Sequence, residues 1–273
     1  MPLLAVTYVK GRPGATTSAL GLAATAPSDV TPVVLECDPA GGDLMRRHGL
    51  AAVPSLVDLA AIARGSTAVR DIFTSTSQPA VQTLTVGDTV VPVVAAPAGG
   101  AQTRAALPEL TNAGRPVLAP ADRLVVADCG RLTPGSPVWP VLRLADVVLV
   151  LVRARADELA HLRELLCELL DAGTGRLVML LAHGGVYPAA DVAEVLSAHV
   201  VEELAGDARA VTVLGPLPTD RRGAAVLDGE LLAGRRWRRL PLLRGYTRLW
   251  SDLGPLLPGL RAVQPVTSSE VPR

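Results

Sequence analysis

Residues 8–20, YVKGRPGATTSAL, hold the first side chains whose types and spacing could do chemistry. Gly11 and Gly14 let the backbone turn its amides toward one point. A helix starting at about Thr17 would add the positive end of its dipole, and together these bind an anion such as phosphate. Thr16 stands where the hydroxyl of a phosphate-binding loop meets magnesium. Where such a loop carries its lysine, this chain has Ala15. Lys10, two residues before Arg12 and three before Pro13, is the single lysine among 26 Lys and Arg residues. A chain that otherwise uses arginine can keep lysine where a slim point charge is needed, and chance explains one residue equally well. Two readings therefore stand: a nucleotide site that has lost a principal charge, or an ordinary strand-to-helix turn.

Two acidic segments bear on that choice. VVLECDPAGGDL ends an apolar run with Glu36 and Asp38, and RLVVADCGRL ends another with Asp128. An acid at the end of an apolar strand beside a phosphate loop is what magnesium coordination in nucleotide hydrolases requires. Each aspartate alone could equally cap the following turn. The ordered set of loop, Asp38 and Asp128 is what favours the nucleotide site.

The elements that must position these residues follow from hydrophobic patterning. Apolar runs at 3–8, 33–37, 91–95, 124–127, 147–152, 177–181 and 211–214 are short, β-branched and apolar on both faces, as in a parallel sheet covered on both sides. Between them lie helical patterns. In ADELAHLRELLCELL, Leu159, Leu162, Leu166, Leu169 and Leu170 recur at helical spacing, and Asp157, Glu158, Arg163 and Glu168 are expected to face away. VQTLTVGDTVVPVV reads as an edge hairpin turning at Gly87 and Asp88. The expected class is α/β, a doubly wound, mostly parallel sheet flanked by helices, with ligands beyond the carboxyl ends of its strands. At 273 residues and 49% apolar, one domain over residues 1–258 can bury roughly three quarters of its unfolded surface. A tail over 259–273 is expected to be disordered.

Formal net charge is zero, so any binding to nucleic acid or membrane has to come from a local patch. The most apolar segments, LADVVLVLV and LVMLLA, are too short to span a bilayer, and the expectation is a soluble, cytoplasmic protein. Cys37, Cys129 and Cys167 lack any ligand spacing and read as buried packing thiols. His48, His161, His183 and His199 share no metal-ligand spacing.

The chain resembles the ParA/MinD family of deviant Walker ATPases, of the P-loop NTPase fold, on several segments in order. YVKGRPGATTSALGLAA is similar to that family's strand, K-G-G-x-G-K-T-T loop and helix. ECDPAGGDL is similar to its D-x-D-P-Q-G segment and VVADCG to its Walker B and switch II. ADVVLVLVRARADELAHL and VLGPLPTDRRGAAVLDGE resemble the family downstream, so the resemblance runs from residue 1 to about 250.

The resemblance implies binding of ATP or ADP with Mg2+. It gives Gly11, Arg12, Pro13, Gly14, Ala15, Thr16 and Thr17 as the phosphate loop, with Thr16 the magnesium ligand and Thr17 a further phosphate contact. Asp38 becomes the switch I acid that positions the attacking water, and Asp128 the Walker B acid. Both aspartates stand beside the metal, while Pro218 and Asp220 stand beside the base. Lys10 matches the signature lysine that reaches the partner's phosphates across a homodimer.

The departures are Ala15 for the in-loop lysine, Arg12 for a loop glycine, Glu36 for an aspartate, and Ala182 and His183 where an asparagine often reads adenine. One charged hydrogen bond to phosphate is worth about 1.5–3 kcal/mol, so losing it weakens binding by roughly one to two orders of magnitude. A lost preorganised donor costs about 10²–10³ in rate. The resemblance thus implies a pseudo-ATPase or very slow nucleotide switch, serving as a partitioning, positioning or assembly scaffold with a protein partner. The alternative is an active ATPase that dimerises on ATP and positions DNA or a secretion or pilus machine. GRRWRRLPLLRGYTRLWSDL offers Arg235, Arg236, Arg238 and Arg239 for nonspecific DNA contact. It reads equally as a last helix packing Leu243, Tyr246, Trp250 and Leu253 inward. A membrane contact ranks lower, because the terminal residues have no basic apolar face.

Overall fold

The computed structural model describes residues 2–65, 80–120, 123–173 and 175–260. Residues 261–273, most of the expected tail, lie outside them. Among the described residues eight strands form one sheet: β1 (Leu3–Tyr8), β2 (Pro32–Glu36), β3 (Gln82–Val86), β4 (Thr89–Val94), β5 (Leu124–Arg131), β6 (Val147–Arg153), β7 (Arg176–Ala182) and β8 (Val211–Leu214). Their order across the sheet is β3-β4-β2-β5-β1-β6-β7-β8. All neighbours are parallel except β3 and β4, the expected edge hairpin, which pairs Val86 with Thr89 across Gly87 and Asp88.

The helices are α1 (Ala15–Ala24), α2 (Leu44–His48), α3 (Leu56–Gly65), α4 (Gly100–Ala113), α5 (Arg115–Leu118), α6 (Trp139–Leu144), α7 (Ala156–Asp171), α8 (Ala189–Glu202), α9 (Arg221–Leu227) and α10 (Pro241–Leu253). Alternate side chains of each central strand serve opposite layers. Leu3, Ala5, Val33 and Leu35 face a core completed by α3 to α8. Leu4, Val6 and Val34 face a second core completed by α1, α2, α9 and α10. Burial on both faces is why these strands read as uninterrupted apolar runs.

Three expectations change. The first helix begins at Ala15, not Thr17, because Gly14 is its N-cap in a left-handed conformation and its carbonyl already accepts from the Ser18 amide. Glu158 does not face solvent; it is buried on α7 and paired with Arg153. Cys167 is exposed, because α7 turns Leu162, Leu165, Leu166 and Leu169 inward and leaves position 167 outside, where its thiol donates to Asp171. Cys37 and Cys129 are buried as expected.

Candidate functional site

The parallel register aims the carboxyl ends of β1, β2 and β5 the same way and sets Asp128 level with Val6 on one side and Glu36 on the other. The segments that follow these strands therefore meet at one edge of the sheet, as the topology of an open α/β sheet dictates.

The loop after β1 turns on two glycines in left-handed conformations, Gly11 and Gly14. Gly11 has φ +87°, and any side chain there would collide with Glu158 and Arg153. Those two form a 2.5 Å ion pair, and the Arg153 guanidinium also donates to the Gly11 carbonyl at 3.0 Å. Buried Glu158 thus pins the loop from below. Arg12, standing where the resemblance has glycine, still adopts φ +52°, a left-handed conformation costing a non-glycine residue on the order of 1 kcal/mol. Gly14 at φ +95° opens α1. Ala15 is buried at its first turn and lines a cavity of about 580 Å³, together with Tyr8, Arg12, Gly14, Thr16, Thr17, Asp38, Arg46, Arg47, Gly130 and Asp228.

Thr16 lies close to Asp128, whose carboxylate accepts the Gly130 amide at 3.2 Å. Burial pushes the Asp128 carboxyl up to about 6, against the lowering by Thr16 and by the Gly130 amide. Asp38 lies against Gly130: at φ +59°, a side chain at that glycine would strike the Asp38 carboxylate. The Ala40 amide donates to Asp38 at 2.8 Å, yet burial, and then Asp43, keep its carboxyl above the usual range. Two carboxylates and a hydroxyl are the donor set magnesium takes when phosphate oxygens supply the rest. These residues fit that ion.

Glu36 does something else. It is buried, and its carboxylate accepts the amides of Asp43, Leu44 and Ala96 at 2.8–2.9 Å. Burial still raises its carboxyl to about 7. It fixes the start of α2 and ties it to the end of β4. Sequence reasoning missed this, and it missed Asp228 and Arg47. The Thr17 hydroxyl donates to Asp228 at 2.8 Å, and Arg47 donates to the same oxygen at 2.9 Å.

A second cavity of about 410 Å³ adjoins the first through Arg12, Gly14 and Thr17, and is lined also by Pro13, His183, Leu217, Asp220 and Tyr246. Asp220 sits at its wall as the cap of α9, accepting from the Gly223 amide at 2.9 Å and from the Leu242 amide at 3.1 Å. Pro218 does not line it and packs behind, against Gly245. Lys10 lines neither cavity of its own chain. Its ammonium donates to His161 Nε2 at 2.7 Å on the exposed side of α7.

In the arginine-rich segment, α10 buries Leu243, Tyr246, Trp250 and Leu253. Trp237 is buried, and its indole N–H donates to Asp88 of the edge hairpin. Arg238 stacks over that indole and donates to Thr89. Arg235, Arg236 and Arg239 are exposed. Among the described residues no helix is long and apolar enough to cross a membrane.

No family model matches the sequence, and no curated protein does. Solved structures do. The Pyrococcus furiosus cell division ATPase MinD superposes with a TM-score of 0.66 at 15% identity, covering 93% of this chain and 99% of that one. A ParA family ATPase from Chlorobium tepidum TLS gives 0.64 at 14% identity, covering 91% and 96%. The septum site-determining protein MinD complexed with Mg-ADP from Pyrococcus horikoshii OT3 gives 0.61 at 15%, covering 93% and 96%. The chain has the ParA/MinD-type fold over nearly its whole length.

Proposed function

We propose that this chain, built on the ParA/MinD-type fold, binds magnesium nucleotide at the cavity beyond β1, β2 and β5, turns it over very slowly or not at all, and serves as a positioning or assembly scaffold. The observation that carries this reading is the convergence of Thr16, Thr17 and Asp38 on one cavity in which the lysine position is the buried Ala15, with Asp128 buried close behind Thr16. Thr16, Asp38 and Asp128 would hold magnesium, whose charge would help neutralise the phosphates. The loop amides and the end of α1 attract the anion. The adjoining cavity past Arg12 suits the rest of a nucleotide, with Asp220 and His183 at its wall. Lys10, directed away from its own cavity, suits contact with a second copy, and Arg235, Arg236 and Arg239 suit a polyanion.

Equilibrium titration with a fluorescent ATP analogue and magnesium, followed by single-turnover hydrolysis, tests the reading. Wild type is expected to bind weakly and hydrolyse no faster than buffer, while Ala15→Lys tightens binding by roughly ten- to a hundredfold. Rapid hydrolysis by wild type would instead support an active ATPase. Sedimentation of the same samples reads the association: Lys10→Ala should reduce nucleotide-dependent dimer, and unchanged association removes Lys10 from any interface.

A further inference from the structure

We propose that Arg47 supplies the phosphate-facing positive charge missing at Ala15, and that Asp228 occupies the phosphate's donors until the ligand arrives. The inference rests on the nucleotide reading above. It starts from a single oxygen. Asp228 Oδ1 accepts both the Thr17 hydroxyl at 2.8 Å and Arg47 Nη1 at 2.9 Å. A hydroxyl from the first turn of the loop helix and a guanidinium, converging on one anionic oxygen, are the donors a phosphate oxygen requires. Here a carboxylate of the chain itself stands in their focus.

Arg47 is placed for that role from several directions. It belongs to α2, whose first amides are held by buried Glu36 and whose Leu44 is buried in the core. The carbonyl of Arg47 packs so closely on Gly229 that a side chain there would sit 2.5 Å away. Its guanidinium is bridged to Asp43 at 2.6 Å and to Asp228. Both acids line the cavity, so the pair forms a wall of the site rather than a remote surface bridge. Arg12 lines the same cavity but is exposed. A part-buried guanidinium already fixed in place loses less freedom on binding than an exposed one.

Two substitutions then move affinity in opposite directions. Arg47→Met removes the donor, and Asp228→Asn removes the competing charge. Inorganic tripolyphosphate with magnesium is the probe, since it reports the anion site without a base, and Mg-ATP is titrated beside it. Relative to wild type, Arg47→Met should weaken tripolyphosphate about tenfold or more, and Asp228→Asn should tighten it several-fold. Ala15→Lys placed in the Arg47→Met background should restore most of the loss. Arg47→Gln serves in place of Arg47→Met where the latter lacks the wild-type circular dichroism spectrum. Wild-type affinity in Arg47→Met or Arg47→Gln, or weaker binding in Asp228→Asn, overturns the proposal. Arg47-dependent binding of tripolyphosphate with no tighter binding of ATP keeps it and removes the nucleotide reading. Failure of wild type to bind either anion overturns both.

Discussion

Asp128 is buried beside Thr16, and its carboxyl rises to about 6 because desolvation outweighs the lowering by the Thr16 hydroxyl and the Gly130 amide. A metal ion needs the ionised form, so protons and magnesium compete for it. Magnesium-dependent ATP affinity should therefore fall by up to about tenfold per pH unit below about 6 and level off above it. The phosphates of ATP titrate in the same range, so the profile is read as the difference from Asp128→Asn, which lacks the competing proton. Identical pH profiles for the two proteins would remove Asp128 from the metal site. That Thr16, Asp38 and Asp128 come together at one edge of the sheet was legible in the sequence, because Thr16 follows the glycine loop after the first apolar run and each aspartate stands at the end of another. Glu36 was visible but its role was not, since a carboxylate two residues before Asp38 reads as its partner until three backbone amides are found on it. Asp228 meets Thr17 across 211 positions of sequence. Nothing local in AAVLDGE marks such a contact. Glu158 misled for a different reason: helical spacing puts it four residues before buried Leu162, on the inward face, but a carboxylate reads as exposed until Arg153 at the end of β6 is found paired with it.

At the scale of elements, the strands were the most legible feature, because a strand covered on both faces leaves a continuous apolar run that no exposed segment imitates. The five-residue α2 was invisible, as so short a helix has no period to read, yet it delivers Arg46 and Arg47 to the cavity. The packing of α1 on α10 tests how firmly the loop helix is seated. Gly21 of α1 faces the Tyr246 ring of α10, the Tyr246 hydroxyl bonds Ser18 at 2.9 Å, and the Trp250 indole donates to the Leu22 carbonyl at 3.2 Å. Gly21→Ala sets two effects against each other. Helix propensity favours alanine by about 1 kcal/mol, whereas forcing a methyl into a packed ring costs about 1–3 kcal/mol or more. The Cβ would overlap the ring itself, so overpacking wins and the urea midpoint should fall. A raised midpoint would mean that α10 shifts freely and does not fix α1.

Across the whole molecule, a zero formal net charge leaves no general field to concentrate anions, so affinity for phosphate has to be made locally, from α1, the loop amides and arginines delivered by separate elements. The topology does this by placing β5 between β1 and β2 in the sheet, which joins the first helix, the segment after β2 and the segment after β5 at one edge although they are far apart in sequence. The end of α9 then closes the cavity through Asp228. The central claim is that magnesium nucleotide binds where these four segments meet. Hydrogen exchange followed by mass spectrometry, with and without magnesium and a non-hydrolysable ATP analogue, measures this in the intact chain. The account predicts slowed exchange over residues 11–18, 38–47 and 128–131 together, with the edge hairpin at 82–94 unchanged. Exchange identical with and without ligand, or protection confined to surfaces away from this edge of the sheet, would contradict it.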